Sequence, residues 1–152
     1  MKLIDLIKPG RVALNLRART WTDAMREVAE LLREAPEIDD FPVFLEELLA
    51  AQGRGHLWFD SEVGFPHVRS THVRNLVLAA GRSTEGIVIQ ADQPAVKLVF
   101  VIGVPMQFHT EYLIAVGALA RIVNKAPSRA RLLRAKDPAE FVSLIAAEEQ
   151  KV

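Results

Sequence analysis

The sequence predicts an α/β protein, a single domain over residues 1–152 with a mixed central β-sheet flanked by helices on both faces. Three observations predict it. Apolar residues recur with helical period towards both ends of the chain, whereas the middle breaks into short β-prone runs separated by glycine, proline and polar residues. The run Val96 to Val104 is apolar except for Lys97, and such a strand lies inside a sheet covered on both sides. The order helix, helix, several strands, then three helices, with no internal repeat or low-complexity linker, supplies that cover.

Each element has its own local reason. Thr20-Trp21-Thr22-Asp23 has capping-box spacing, and Ala24/Met25, Val28, Leu31/Leu32 and Ala35 follow with helical period, giving a helix from about Thr22 to Glu34. Pro36 to Asp40 is a polar break. Asp40 then caps a second helix that tolerates Pro42 in its first turn, buries Phe41, Phe44/Leu45 and Leu48/Leu49, and ends at Gly53-Arg54-Gly55. Leu76 to Ala80, Gly86 to Ile89 and Val96 to Val104 are the strand candidates, with Gly81 to Gly86 as a hairpin-like connection; that segment lacks the Gly-Lys-Ser/Thr step of a phosphate-binding loop. After Pro105 a helix runs from about Thr110 to Asn124 with Leu113, Val116, Leu119/Ala120 and Val123 as its apolar stripe. Pro127 opens a short helix. Asp137-Pro138-Ala139-Glu140 starts the last one, which buries Phe141, Leu144 and Ile145.

Composition excludes several functions. The 152 residues carry 19 Lys plus Arg against 19 Asp plus Glu, so no basic excess favours binding to a nucleic-acid backbone. With 50% hydrophobic and 25% charged residues the chain is not a disordered acidic segment. It has no cysteine, which removes thiol catalysis, thiolate metal sites and disulfides together. The N-terminal residues interleave charges where a signal peptide is continuously apolar, and the stretch Leu98 to Met106 is about half of a membrane span. A cytoplasmic protein without membrane insertion is expected. The basic run Lys125, Arg129, Arg131, Arg134, Lys136 and the acidic run Glu37, Asp39, Asp40, Glu46, Glu47 read as solvated faces.

The four histidines, His56, His67, His72 and His109, are the candidate chemical groups. His67 and His72 are five residues apart and do not share a helical face, and no HExxH or Cys/His cluster is present, so neither a metal site nor a cofactor is expected. His67 stands out because Pro66 restricts the backbone that delivers it, placing it at the end of a strand. Arg69 and Arg74 are fixed cations nearby, and Ser70, Thr71 and His72 add hydrogen-bonding groups, a set suited to a phosphoryl group. An exposed strand end with ordinary surface charge is the alternative that local composition leaves open. Trp21 is read as a packing residue, and Trp58 as packing or as a wall beside His67.

Five segments taken in order, Gly64-Phe65-Pro66-His67-Val68-Arg69, Gly81-Arg82-Ser83-Thr84-Glu85-Gly86-Ile87, Val96 to Pro105, Glu111-Tyr112-Leu113 and Leu132-Leu133-Arg134-Ala135, carry a family resemblance over nearly the whole length. The chain resembles the fructose/mannitol-type enzyme IIA domain of the bacterial phosphoenolpyruvate-dependent sugar phosphotransferase system, a group that includes the nitrogen-regulatory IIA proteins. The resemblance implies that His67 accepts a phosphoryl group from an HPr-like phosphocarrier protein and relays it to a IIB domain or signals to a regulated protein. It also shows departures. Ala51-Gln52 stand where the family usually has Arg-Glu, and Tyr112 stands where a second histidine opens the helix, with His109 three residues earlier. Arg54, Arg69, Tyr112 and His109 are therefore the candidate supporting groups. The alternative implied by those departures is a degenerate IIA-like regulatory module that works through protein or anion binding without efficient transfer.

Overall fold

The computed structural model describes residues 2–52, 59–60, 62–107 and 109–151. Its elements are α1 (Leu3–Leu6), a 3₁₀ turn and β1 (Val12–Ala13), α2 (Trp21–Ala29), α3 (Phe41–Gln52), β2 (Phe59–Asp60), β3 (Val63–Gly64), β4 (His67–Ser70), β5 (Val77–Ile87), β6 (Val96–Pro105), α4 (Thr110–Asn124), α5 (Ala126–Leu133) and α6 (Pro138–Glu149). The strands form one mixed sheet in the order β1-β5-β6-β3-β2, with β4 also pairing with β6. β5 and β6 are antiparallel; β3 and β4 both run parallel to β6.

The long central strands explain the two-sided cover. Leu78, Ala80, Leu98, Phe100 and Ile102 face one core with α1, α4, α5 and α6, where Phe100 lies between Phe65 (centroids 5.8 Å apart) and Phe141 (6.4 Å). The alternate residues Val77, Ala79, Val99 and Val101 face a second core made by α2 and α3 with Val28, Leu32, Phe44 and Leu48. Period-two alternation along buried strands thus divides one apolar run between two layers.

The predicted caps are present. Thr20 Oγ1 accepts from the Asp23 amide at 3.2 Å, Asp40 Oδ1 from Val43 at 3.3 Å, and Asp137 Oδ1 from Glu140 at 2.8 Å. Three expectations change. The first helix ends earlier, at Ala29, and tightens into a 3₁₀ turn over Glu30–Leu32. Leu76 to Ala80 and Gly86 to Ile89 are not two strands joined by a hairpin-like turn: β5 runs through Val77–Ile87 with a bulge after Arg82, where Gly86 takes φ +84° and its amide donates to Ser83 Oγ at 3.1 Å. Gly81 is needed for close packing, since a Cβ there would lie 2.4 Å from Val28 Cγ2. On α4, Tyr112 is buried and Leu113 is 61% exposed, so the apolar stripe is rotated from the one expected.

The charge runs are also built into the scaffold. Arg11 donates to both Glu37 carboxylate oxygens at 2.8 and 2.9 Å, Arg131 pairs with Glu148 at 2.9 Å, and Arg129 approaches Glu62 at 3.6 Å. Arg82 ties β5 to two neighbours: Nε donates to Leu14 O at 3.2 Å, and Nη1 to Leu132 O, Leu133 O and Ala135 O at 3.1, 3.2 and 2.9 Å. Those last oxygens close the C-terminal end of α5, where a cation also meets the negative end of the helix. Among the described residues no helix is long and apolar enough to cross a membrane.

Arg82→Met is expected to destabilise the fold by about 2 kcal/mol, because the oxygens lose a charged donor; urea unfolding should show a lower midpoint at unchanged slope. Arg82→Lys should recover only part, lacking the planar fork. The Arg11 hydrogen bonds hold the Glu37 carboxyl below its ordinary range. A lowered folded value contributes stability that is full above the ordinary carboxylate pKa and is lost as pH falls through the folded value. Glu37→Gln should therefore lower the melting temperature at neutral pH and weaken its decline on acidification.

Candidate functional site

The site begins with a missing donor. Pro66 has no N–H, so the line of chain beside β6 pairs through Val63↔Leu98 and Gly64↔Val99, breaks, and resumes at His67↔Ile102 through Ser70↔Pro105. The Pro66 carbonyl still accepts from Ile102 N at 2.9 Å, so the break is local. His67 opens β4, at the junction of the two strand segments, and does not end a strand as the sequence predicts.

Burial alternates along β4: His67 and Arg69 face out, Val68 and Ser70 face in. His67 and Arg69 thus share one face with Cα atoms about 6.6 Å apart by strand rise. His67 Nδ1 lies 3.0 Å from Phe65 O. A carbonyl only accepts, so Nδ1 carries the proton and the neutral ring has its lone pair on Nε2. Phe65 is itself fixed by its stacked contact with Phe100, so a core side chain orients the ring. The Arg69 guanidinium donates to the carbonyl of Met106, just beyond β6.

The opposite wall is the start of α4. His109 precedes the helix with extended backbone, its carbonyl accepts from Tyr112 N at 2.9 Å, and the two rings meet edge-on with centroids 5.3 Å apart. Tyr112 and His67 line the same cleft, about 190 Å³, with Phe65, Ile102, Val104 and Leu113. Its walls are almost wholly apolar. Leu113 and Ile114, each 61% exposed, and Met106, 48% exposed, add apolar surface on α4 and on the segment that Arg69 touches.

The structure therefore brings together His67, Arg69 and Tyr112, with His109 joined to them through Tyr112. Arg54, His56 and Trp58 lie outside the described residues. Ser70 and His72 do not surround His67 as expected, because strand alternation turns Ser70 to the other face. There the buried Ser70 Oγ donates to Glu47 Oε1 at 2.6 Å and accepts from His72 N at 3.0 Å, while His72 Nδ1 pairs with Asp39 Oδ1 at 2.7 Å. Arg74 sits in the connection to β5, its amide bonded to Glu37 O at 2.7 Å. A larger open cleft of about 490 Å³, between residues 15–19 and 83–88, contains none of the predicted site residues. The exposed Leu113 and Ile114 had a signal in the sequence: Tyr112 to Val116 is an unbroken apolar run, wider than one helix face can bury.

Comparison with known proteins bears on the family and the fold. The family model described as "Phosphoenolpyruvate-dependent sugar phosphotransferase system, EIIA 2" matches residues 5–148. A fructose-specific EIIA component of Haloferax volcanii is 31% identical over 127 residues, 82% of each chain. A nitrogen regulatory protein of Pseudomonas aeruginosa is 28% identical over 152 residues, 99% of this chain and 97% of that one. A fructose-specific EIIABC component of Bacillus subtilis is 24% identical over 95% of this chain, which spans only 23% of that larger protein. Among solved structures, the nitrogen regulatory protein IIA-Ntr of Neisseria meningitidis superposes with a TM-score of 0.83 at 21% identity, covering 94% and 98% of the two chains. The mannitol enzyme IIA of Escherichia coli, in its complex with phosphorylated enzyme IIB, gives 0.77 at 16% identity, covering 93% and 97%.

Long-range ¹H–¹⁵N spectra of the neutral His67 ring should show Nδ1 in the protonated range and Nε2 in the lone-pair range. The reverse pattern would mean that the Phe65 carbonyl does not set the tautomer.

Proposed function

The chain belongs to the EIIA type 2 family of the phosphoenolpyruvate-dependent sugar phosphotransferase system, and on that premise we propose that it is a phosphohistidine carrier with a regulatory role, accepting a phosphoryl group from an HPr-like phosphocarrier on Nε2 of His67. The observation that carries this reading is the 3.0 Å contact of His67 Nδ1 with the Phe65 carbonyl. It fixes the proton on one nitrogen and presents the other, on an exposed strand face, as the nucleophile.

Transfer requires little covalent machinery. The Nε2 lone pair attacks phosphorus in line, and the bond from phosphorus to the donor's histidine nitrogen breaks with its electron pair returning to the donor. The proton stays on Nδ1, donated to the Phe65 carbonyl, and the phosphorylated ring spreads its positive charge over both nitrogens. Arg69, on the same face, supplies positive charge for the equatorial oxygens, and Tyr112 a polar group within an apolar cleft, where such interactions gain strength. His109 supports Tyr112 through the edge-on ring contact. Arg54 enters this proposal through its place in the sequence alone.

The apolar surface of Met106, Leu113 and Ile114 is where the carrier would dock, with the phosphoryl donor at the strand junction. The partner to which the group passes is a IIB-like domain, by analogy with the Escherichia coli complex, or a regulated protein, by analogy with the Pseudomonas aeruginosa relative.

Incubation with phosphoenolpyruvate, enzyme I and HPr, followed by intact mass, should give one acid-labile phosphate on the native chain and none on His67→Ala. Arg69→Ala should slow transfer by about 100-fold without a change in melting temperature. Leu113→Glu should weaken saturation by HPr while leaving chemical phosphorylation by phosphoramidate intact. Absence of phosphate on the native chain with several HPr sources, together with saturable HPr binding, would favour the non-transferring binding module.

A further inference from the structure

We infer that Glu47, Ser70, His72 and Asp39 form a proton-responsive clamp on the end of β4, and that through it pH sets how firmly Arg69 is held beside His67. The second half rests on the reading of His67 as the phosphoryl acceptor; the first half does not.

The clamp is continuous. Ser70, 1% exposed, directly follows Arg69 and uses its hydroxyl twice, donating to Glu47 on α3 at 2.6 Å and accepting from His72 N at 3.0 Å. His72 reaches across to Asp39 with its ring at 2.7 Å, and Asp39 returns its amide to the His72 carbonyl at 3.0 Å. A bridge between Ile38 and Val73, and the amide of Arg74 on Glu37 O at 2.7 Å, complete a short strap between the segment before α3 and the turn after β4. Glu47 and Arg69 also line one cleft of about 190 Å³ with Ala50, Ala51 and Val68. Arg69 is thus bordered by the clamp along the chain and across the cleft. Glu47, Ser70, His72 and Asp39 are positioning residues, for none is argued to touch the phosphoryl group.

His72 is the titrating member. The charged groups facing its ring are Asp39 and Asp40 from the segment before α3 and Glu47 from α3, all carboxylates, and the Asp39 hydrogen bond first among them raises its pKa. Glu37, next in the same run, is engaged by Arg11. With the folded value raised, the contribution is full below the ordinary histidine pKa of about 6.5 and is lost as pH rises through the folded value. The neutral ring keeps its hydrogen bond but loses its charge, leaving three carboxylates without that cation. The strap then loosens.

The test follows amide hydrogen exchange at residues 69–72, corrected for intrinsic rates, and phosphate incorporation at His67, from about pH 6 to about pH 8.5. In the native chain both protection and transfer rate should fall with rising pH, by no more than about fivefold, since the pair is partly exposed. His72→Gln and Asp39→Asn should hold protection flat at the lower level and remove the matching part of the transfer profile. Ser70→Thr should keep the native profile that Ser70→Ala loses. Protection with the same slope in native and His72→Gln chains would overturn the clamp. Protection that titrates while the transfer rates of native and His72→Gln chains keep one profile would overturn the coupling to Arg69. Protection that titrates on a chain taking no phosphate would leave the clamp standing and remove the phosphoacceptor.

Discussion

The absence of one backbone donor, at Pro66, sets the geometry on which the site depends. Two short strand segments lie along the same flank of β6, and the peptide between them cannot complete the ladder. The pairing lapses there without a change of register, and beside the gap the carbonyl of Phe65 lies 3.0 Å from Nδ1 of the His67 ring. Both sides of the gap are fixed. Phe65 is stacked on Phe100 in the core shared with α6, and Ile102 still donates to Pro66 O. A feature that weakens a sheet is acceptable here because the strand beside it is buried from Leu98 to Gly103 and paired with β5 over those residues.

The same strand separates two kinds of polar group. Outward residues of β4 meet the surface where chemistry is proposed; inward ones meet α3. Val68 packs in the core with Phe44 and Leu48, whereas Ser70 needs a partner once buried and finds Glu47. Strand period alone therefore decides that neighbouring residues of one polar tract, Arg69 and Ser70, serve different ends. The acidic tract is partitioned in a similar way: Glu37 to Arg11, Asp39 to His72, Asp40 to the first turn of α3, and Glu47 to Ser70.

Much of this was legible in sequence where the cause is local. Thr20, Asp40 and Asp137 signal their caps because a capping bond spans three residues, and Val96 to Val104 signals a central strand because its burial is two-sided. The proline before His67 was legible for the same reason. What was not legible depends on distant partners. β1, β2 and β3 are two residues each and exist only because β5, β3 and β6, respectively, offer edges to them. Gly81 reads as a turn residue, yet its lack of a side chain serves contact with Val28 and Leu16. Ser70 read as a group beside His67 because composition carries no facing, and its pairing with Glu47 joins residues 23 positions apart.

In the proposed carrier role, the exposed side chains at the start of α4 would bear on time as well as on affinity. A protein that receives a group from one partner and gives it to another must be met and left in every cycle, so a long residence would stall it. Leu113, Ile114 and Met106 are a few apolar side chains around a shallow cleft, far from the broad dry surface of a permanent complex. Contacts of that size are lost quickly, and differences among related complexes lie mainly in how fast they part. In the proposed role, the rotation of α4 that buries Tyr112 and leaves Leu113 outside would act on the dissociation rate, and so on how many exchanges one molecule could complete.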